Sequence, residues 1–426
     1  MGDIRLPFEE RDLRPLRVMF LDLNSYFASV QQAENPELRG KPVGVCAVPA
    51  DSSFLIAAST EAKALGVKTL MRIGDAKQLC PELILVNGGH GIYTDYHDRI
   101  LEAVESVLPV DQVKSIDEMQ FRLIGVEREP KEAERLAMRM KQAIWDQVSP
   151  ALSCSIGVAP NSFLAKLATD LQKPNGLVII HGHELPERLA GLQLMEFCGI
   201  NRRMLARMQA HGIFDAADLI ARSKQELVQA FGSVYGERWY YMLRGHEVEG
   251  TMRQRQSLGH SHVLPPDLRH EEGVREVLLR LLQKASARLR ASQLWATTMN
   301  ISVSGKKGWD AHIRFPATQD SVRLTREALA LFEHHTFVAP MKVSIGFNDL
   351  LEAEGVTLSL FEQEEMPRIQ LNQAVDKVNQ QFGKNSIYLA AMHRAKDTAE
   401  ERIAFQKTSL FDEGARKKRV RRSPEW

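Results

Sequence analysis

Three carboxylates, drawn from two separated places in the chain, are the residues most capable of chemistry. Asp22 follows a nearly continuous apolar run that starts at Arg17, and Asp117 and Glu118 lie at the junction of two strand-like runs. Buried strands avoid acids unless the acids are paired or bind cations, because an isolated carboxylate in an apolar setting is costly. If the strands are neighbours in one sheet, the acids converge as hard oxygen ligands suited to Mg²⁺. Two such ions about 3.5–4 Å apart would serve phosphoryl transfer, by activating the attacking hydroxyl and stabilising the leaving oxygen. Acids are also common at turns, so spacing alone leaves an ordinary structural role open.

The elements that must position these acids alternate between strand and helix. A buried strand over 17–23 is followed by a helix over 26–30, for which Asn24 or Ser25 can supply the cap. Further strands are predicted over 42–46, 54–58, 112–118, 119–124 and 152–158, and helices over 60–65, 96–107 and 130–148. The first third of the chain therefore forms a mixed sheet with helices.

The remainder divides into a helical region and a second α+β domain. From 185 to 245, short helical runs are separated by Gly199, Gly212 and Gly232, which is typical of helices joined by tight hairpins. Such a hairpin can hold a phosphate through backbone N–H groups, although an ordinary small helical domain would look the same. A polar stretch over 251–257 predicts a linker, and mixed helix and strand return over 262–347.

Length and composition exclude several classes of protein. The chain has 426 residues, 44% hydrophobic and 26% charged, which argues for two to four folded domains and against a disordered, collagenous or coiled-coil protein. No apolar run approaches the roughly 20 residues that span a bilayer, and the charged N-terminus has no signal-peptide core. Four widely spaced cysteines without a Cys-x-x-Cys pair indicate reduced thiols. We therefore expect a cytoplasmic protein without a membrane partner.

Charge is segregated along the chain despite a net charge of +1. Between Gly250 and Ile345 there are 14 Lys and Arg against 8 Asp and Glu, and residues 416–422 are strongly basic. A basic block of domain size is what binding to a phosphate backbone requires. A solvated charged surface is the alternative interpretation.

Four segments, in order, resemble the motifs of the Y-family, lesion-bypass DNA polymerases of bacterial type. They are residues 21–30 (LDLNSYFASV), 115–118 (SIDE), 155–166 with SIGVAPN and FLAK, and 173–176 (KPNG). A weaker resemblance extends over the helical hairpin region, like the family's thumb, and the basic α+β domain, like its little finger. The resemblance covers nearly the whole chain.

The resemblance implies an α+β multidomain fold, with a ferredoxin-like palm bearing fingers, a helical helix-hairpin-helix thumb and a separate α+β little finger. The implied boundaries are 16–184 for palm and fingers, with fingers at about 28–95, then 185–248 for the thumb, 249–258 for a linker and 259–351 for the little finger. Residues 352–426 are left as a C-terminal extension.

Functional residues follow from the same motif positions. Asp22, Asp117 and Glu118 would be the metal carboxylates, with the carbonyl of Leu23 as a possible further ligand. Phe27 occupies the position of the family's steric gate, which would collide with a ribose 2′-hydroxyl; an aromatic on an amphipathic helix is otherwise an ordinary core residue. Lys173 resembles a lysine that contacts the incoming triphosphate.

The chain departs from the family pattern at four positions. Thr60 and Lys63 stand where the family usually has Tyr and Arg in its triphosphate-binding fingers motif. Lysine keeps the charge but loses the bidentate fork of arginine, so nucleotide affinity is expected to be weaker. Asn24 replaces an acid often found two residues after the first Asp, and Ser162 stands where a lysine is frequent.

The C-terminal extension contains a short peptide, 406–411 (QKTSLF), similar to the one with which bacterial polymerases grip the sliding clamp. Leu410 and Phe411 would fill an apolar pocket on the clamp, Gln406 would bond its rim, and Ser409 is the small residue before them. Residues 358–361 (LSLF) are a second candidate. A local apolar turn is the alternative for both.

The sequence therefore predicts a low-fidelity translesion DNA polymerase that uses two Mg²⁺ ions. Its partners would be primed template DNA, deoxynucleoside triphosphates and the sliding clamp, and alone it would be monomeric. A second hypothesis is a non-catalytic relative that binds DNA and the clamp to recruit another polymerase, favoured slightly by Thr60 and Lys63. A third is a nucleotide cyclase or similar two-metal enzyme, which would have no use for the hairpin region, the basic domain or the clamp-like peptide.

Overall fold

The computed structural model describes residues 14–248, 257–332, 335–356 and 365–396. The chain divides between residues 250 and 251 into two compact units. Within the described ranges no helix is both long and apolar enough to cross a membrane.

The first unit contains eight strands and ten α-helices in its described part. The strands are β1 (Val18–Leu23), β2 (Val43–Cys46), β3 (Leu55–Ala58), β4 (Ile84–Asn87), β5 (Gln112–Val113), β6 (Glu118–Arg122), β7 (Cys154–Ala159) and β8 (Leu177–Ile179). The helices are α1 (Tyr26–Glu34), α2 (Thr60–Ala64), α3 (Ile73–Leu79), α4 (His90–Glu105), α5 (Pro130–Gln147), α6 (Ser162–Leu171), α7 (Arg202–Ala210), α8 (Ala216–Ala221), α9 (Lys224–Phe231) and α10 (Tyr235–Leu243).

The main sheet has the strand order β5-β6-β1-β7-β8, with β1 antiparallel to both of its neighbours. All six residues of β1 are buried because helices cover both faces. Met19 and Leu21 belong to the core shared with α4 and α5, whereas Val18 and Phe20 pack with residues of α6. Strand alternation therefore turns Asp22 toward α6, on the same face as Phe20.

A glycine lets α6 approach the sheet closely. A Cβ at Gly157 in β7 would lie 2.1 Å from the carbonyl oxygen of Ala165 and 2.7 Å from the Cβ of Ala168. Any larger residue would push α6 away from β1 and β7. The close approach brings the side chains of α6 over the strand that carries Asp22.

A smaller sheet, β3-β2-β4, carries α2 and α3. Helix α2 ends where Gly66 adopts a φ of +89°, as the sequence predicts. Helix α4 begins at His90, six residues before the predicted start, because tertiary packing of Tyr93 overrides a first turn that contains glycine, threonine and aspartate.

The predicted side-chain cap of α1 is wrong, because neither Asn24 nor Ser25 forms a capping hydrogen bond. Ser25 is the N-cap residue, but its backbone is left-handed (φ 48°) and its side chain makes no capping hydrogen bond. The side chain of Asn24 is bonded elsewhere, to residues of β7 and of the loop before β8.

Helices α7 to α10 enclose a core around Trp239. Gly199, Gly212 and Gly232 have positive φ angles of 102°, 72° and 64° at the ends of helical segments, which is where the sequence predicts breaks. Asn161, the N-cap of α6, donates hydrogen bonds to the carbonyl oxygens of Met242 and His246 at 2.9 Å, so this helical region is anchored to the main sheet.

The second unit is an antiparallel sheet backed by helices. Its elements are β9 (Ser257–Val263), α11 (Glu271–Ala291), β10 (Leu294–Gly305), β11 (Trp309–Thr318), α12 (Ser321–Phe332), β12 (Pro340–Asn348), β13 (Leu351–Glu352) and α13 (Glu365–Phe382). The strand order is β11-β10-β12-β9, and β13 pairs with β10. Helices α11 and α12 share one core with the sheet, including Leu281, Leu324 and Phe347.

Helix α13 is part of this unit. The Arg290 guanidinium in α11 forms two hydrogen bonds to the Asp376 carboxylate, at 2.6 and 2.9 Å. The helix begins at Glu365, and Pro367 falls in its first turn, where a proline is tolerated.

Candidate metal and nucleotide site

The three carboxylates of the sequence prediction lie side by side. Asp22 in β1 is directly opposite Glu118 in β6, and directly opposed residues project from the same face of a sheet. The N–H of Leu23 donates to the carbonyl oxygen of Asp117 at 2.9 Å, which fixes Asp117 beside the pair. The Ser115 hydroxyl donates a short hydrogen bond to the Asp117 carboxylate. Residues almost a hundred positions apart thus form one acidic cluster.

Two lysines hold this cluster. The Lys166 ammonium, from α6, lies 2.9 Å from Oε1 of Glu118 and also bonds Asp22 Oδ2. The Lys173 ammonium lies 2.9 Å from Asp22 Oδ2 and 2.7 Å from Asp170 Oδ1. Lys173 was predicted to be a site residue; Lys166 and Asp170 were not.

The pKa values in the cluster reflect buried carboxylates that interact with neighbouring positive charges. Burial raises the pKa of Asp117, to which the charge of Asp22 adds, while the hydrogen bond from Ser115 opposes the rise. Burial also raises the pKa of Glu118 against the opposing effect of Lys166. Burial lowers the pKa of Lys166 and Lys173, but the surrounding carboxylates outweigh burial and leave both pKa values raised. Both lysines therefore stay charged.

The donor set fits a hard divalent cation, since three carboxylates meet at one edge of the sheet beside the Leu23 backbone. Over the described residues, no group of three or more His, Cys, Asp and Glu side chains is already arranged to hold a metal ion. The Lys166 ammonium lies between Asp22 and Glu118 and bonds both carboxylates.

Phe27 projects from α1 into the core that it shares with α4 and is only 4% exposed. Its ring packs edge-on against that of Tyr93 in α4, with centroids 4.7 Å apart. The Tyr26 hydroxyl donates to the Tyr93 carbonyl oxygen at 2.5 Å. The start of α4 therefore fixes the orientation of α1, and nothing local in the sequence indicates this pairing.

Thr60 and Lys63, the two departures from the family's fingers motif, lie on α2. Ser59 caps the first turn of this helix, and its side chain accepts a hydrogen bond from the Ala62 N–H. Local burial and the neighbouring charge of Lys173 lower the pKa of Lys63, while Asp22 and Asp117 oppose this effect. These influences place Lys63 within electrostatic range of the cluster. Ser162, the fourth departure, donates a 2.6 Å hydrogen bond to Gln120 Oε1.

Sequence reasoning missed Lys166, Asp170 and Tyr93. The first two carry a weak signal, because Lys166 and Asp170 are four residues apart on one helix face, and Lys173 follows three residues later. Gln406, Ser409, Leu410 and Phe411 lie outside the described residues, as do residues 358–361.

Comparison with known proteins places these residues in a family context. The model of the impB/mucB/samB family matches residues 21–170, and the model of that family's C-terminal domain matches residues 255–365. A protein named DNA polymerase IV from Pelotomaculum thermopropionicum is 30% identical over 386 residues, covering 88% of this chain and 94% of that protein. A DNA polymerase IV from Oceanobacillus iheyensis is 29% identical over 416 residues, covering 93% and 97% of the two chains.

A solved structure is also similar. A Y-family DNA polymerase chimera of Dbh and Dpo4 superposes with a TM-score of 0.64 at 25% sequence identity, covering 79% of this chain and 99% of the chimera.

Proposed function

The chain belongs to the impB/mucB/samB family of bacterial Y-family DNA polymerases, and from this premise we propose that its acidic cluster is a polymerase active site. The protein is a translesion, DNA-directed DNA polymerase whose substrates are primed DNA and deoxynucleoside triphosphates. The pairing of Asp22 with Glu118 across β1 and β6, next to Asp117, is the observation that carries the assignment of the site.

The family is metal-dependent, and we propose that two Mg²⁺ ions bind here. Asp22, Asp117, Glu118 and the carbonyl of Leu23 would hold them. When bound, the ions would favour ionisation of the primer 3′-hydroxyl and stabilise the leaving pyrophosphate oxygen.

The side chains around the cluster would bind and select the nucleotide. Lys173, anchored between Asp22 and Asp170, would contact the triphosphate, and Lys63 with Thr60 would approach it from α2. Phe27, held rigidly by Tyr93, would occupy the space that a ribose 2′-hydroxyl needs. The rigidity matters because a gate discriminates only if its ring cannot move aside.

We assign the remaining parts of the chain to DNA and partner binding. Residues 16–184 would be palm and fingers, with fingers at about 28–95, and 185–248 the thumb. Residues 249–258 would be a linker, 259–351 the little finger and 352–426 an extension; strand β9 begins at Ser257, two residues before that little-finger boundary. Gln406 to Phe411 would bind the sliding clamp. The protein would work as a monomer, in the cytoplasm where chromosomal DNA lies.

A second candidate is an adaptor that binds DNA and the clamp without catalysis. The changes at Thr60 and Lys63 favour it, because both remove groups that normally grip the triphosphate. Retention of all three carboxylates argues against it.

Primer extension with Mg²⁺ tests both candidates. The wild-type chain should extend a primer, Asp117→Asn should not, and Asp146→Asn, which changes an exposed carboxylate on α5, should extend normally. If neither the wild type nor Asp117→Asn extends the primer while both shift DNA on a gel, the adaptor is the correct assignment.

A further inference from the structure

The loop that carries Lys173 is held in place from two sides. It connects α6 to β8, and its residue Lys173 reaches back to Asp22 at 2.9 Å. A Cβ at Gly176 would lie 1.8 Å from the carbonyl oxygen of Gln172, so the loop closes tightly on itself. The position of the Lys173 ammonium therefore depends on whatever fixes this loop against the sheet.

Asn24 supplies the contact on one side. Its Oδ1 accepts hydrogen bonds from the Asn175 backbone N–H at 2.8 Å and from the Ser153 hydroxyl at 3.2 Å. Its Nδ2 donates to Ser155 Oγ at 3.1 Å, and the same oxygen accepts from the Gly176 N–H at 3.3 Å. Asn24 is 5% exposed, so these bonds are shielded from water.

Lys141 supplies the contact on the other side. From α5, its ammonium donates to the carbonyl oxygens of Asn175 at 2.6 Å and Gly176 at 2.9 Å, and to Asn175 Oδ1 at 3.1 Å. Asn175 is thus bonded through its N–H, its carbonyl and its side chain.

We propose that Asn24 is a positioning residue of the nucleotide site, which fixes the 172–176 loop so that Lys173 stands beside Asp22. The inference rests on the proposed function, in which Lys173 contacts the triphosphate. A neutral amide accepts from the loop and donates to Ser155, without adding a fourth negative charge to the three clustered carboxylates.

Steady-state insertion of one nucleotide tests the inference. Asn24→Ala should raise the KM for the deoxynucleotide about tenfold, which corresponds to the loss of one or two buried hydrogen bonds, and should change kcat much less. Asn24→Asp, which keeps the acceptor oxygen but adds a fourth negative charge, should restore only part of the affinity. Ser153→Ala is the matched control, since it removes a partner of Asn24 that does not touch the loop.

A double variant separates action through Lys173 from a general structural effect. If Asn24 acts by placing Lys173, then Asn24→Ala should have almost no further effect on KM in a Lys173→Met background. If instead the two changes multiply, or if Asn24→Ala lowers kcat and leaves KM unchanged, the inference is wrong.

Hydrogen exchange of the backbone amides gives a reading that does not need activity. In Asn24→Ala, exchange at Asn175 and Gly176 should be at least about tenfold faster, while exchange in β8 stays the same. Unchanged protection at Asn175 would overturn the inference even if the enzyme is active. A wild-type chain that extends no primer would overturn the proposed function instead, and the exchange result would still decide whether Asn24 holds the loop.

Discussion

At the level of single residues, the acidic cluster is destabilising as well as useful. Asp117 and Glu118 both have a raised pKa because they are buried, although Ser115 and Lys166 bond their charged forms. A carboxyl with a raised pKa in the folded state favours folding when protonated and opposes it when ionised. The charge that would bind metal is therefore retained at the expense of stability.

Asp117→Asn should make the protein more stable at neutral pH. Its pKa is raised above the ordinary 3.8, so ionisation at pH 7 works against the fold, and a neutral amide removes that effect. We expect thermal unfolding at about 2 °C higher, a shift typical of somewhat less than 1 kcal/mol in a unit of this size. The gain should shrink as pH falls and the wild-type carboxyl itself becomes protonated. Asp146→Asn should show no gain; an equal gain there would attribute the effect to net charge.

Metal binding should weaken on acidification at a higher pH than for ordinary carboxylates. Mg²⁺ needs the ionised forms, and the pKa values of Asp117 and Glu118 lie above the ordinary 3.8 and 4.5. As pH falls, the Mg²⁺ concentration for half-maximal extension should begin to rise at a higher pH than it would for carboxyls with ordinary pKa values, in buffers in which DNA binding is constant. A half-saturation concentration that does not rise on acidification would contradict the proposed role of these carboxylates.

Phe27→Val should relax the choice of sugar. Removing most of the ring opens space for a 2′-hydroxyl, and contacts of this kind are worth about 10–200-fold in discrimination. Single-nucleotide insertion with ribo- and deoxynucleotides measures the ratio. Phe121→Val removes a similar volume from the same hydrophobic core and should leave the ratio unchanged. A ratio that changes equally in both variants would point to general loosening of the core.

At the level of elements, the site depends on how closely α6 packs. Gly157 admits the helix to the sheet, and α6 then delivers Lys166 to Asp22 and Glu118. Helix α4 likewise fixes the orientation of α1, because the ring of Tyr93 packs against that of Phe27. Packing between elements, and not the motif residues alone, sets the geometry around the carboxylates.

Helix α2 offers a gain-of-function experiment. The double change Thr60→Tyr/Lys63→Arg restores the residue types usual in the family, and arginine stays charged where burial lowers the pKa of Lys63. The KM for the incoming deoxynucleotide should fall about 5–10-fold, as expected from one added charged hydrogen bond. Lys68→Arg, just beyond α2, should change nothing. A KM that rises would show that the surroundings of α2 have adapted to the smaller pair.

At the level of the whole molecule, chemistry and the basic block belong to different units. The acidic cluster lies in the first unit, whereas the excess of Lys and Arg between 250 and 345 belongs to the second. The second unit also incorporates α13, which lies almost entirely beyond the region matched by the family's C-terminal domain model and is tied to α11 by Arg290 and Asp376. The second compact unit therefore extends beyond the residues matched by the family's C-terminal domain model.

The C-terminal peptide should matter only when the clamp is present. Leu410→Ala/Phe411→Ala should weaken clamp binding at least about 30-fold, the effect typical of losing buried anchor residues. Extension without the clamp should be unchanged. The same substitutions at Leu360 and Phe361 serve as the comparison. If only these earlier substitutions abolish stimulation by the clamp, residues 358–361 are the clamp-binding peptide instead.

The sequence alone was enough to predict the strand and helix around the site and the acidic residues that they carry. The strand around Asp22, the helix after it and the pair Asp117 and Glu118 follow from local patterns, because apolar periodicity and glycine or proline punctuation act over a few residues. From the sequence, the three carboxylates could be predicted to lie together only if their strands were neighbours in one sheet.

Tertiary structure decided which side chains complete the site. Lys166 meets Asp22 across 144 positions, and Asn24 meets Asn175 across 151. Such contacts depend on which elements become neighbours and how closely they pack, and a single glycine in β7 controls that distance for α6. Local sequence patterns do not encode these contacts, since long-range contacts form only when the whole core is packed.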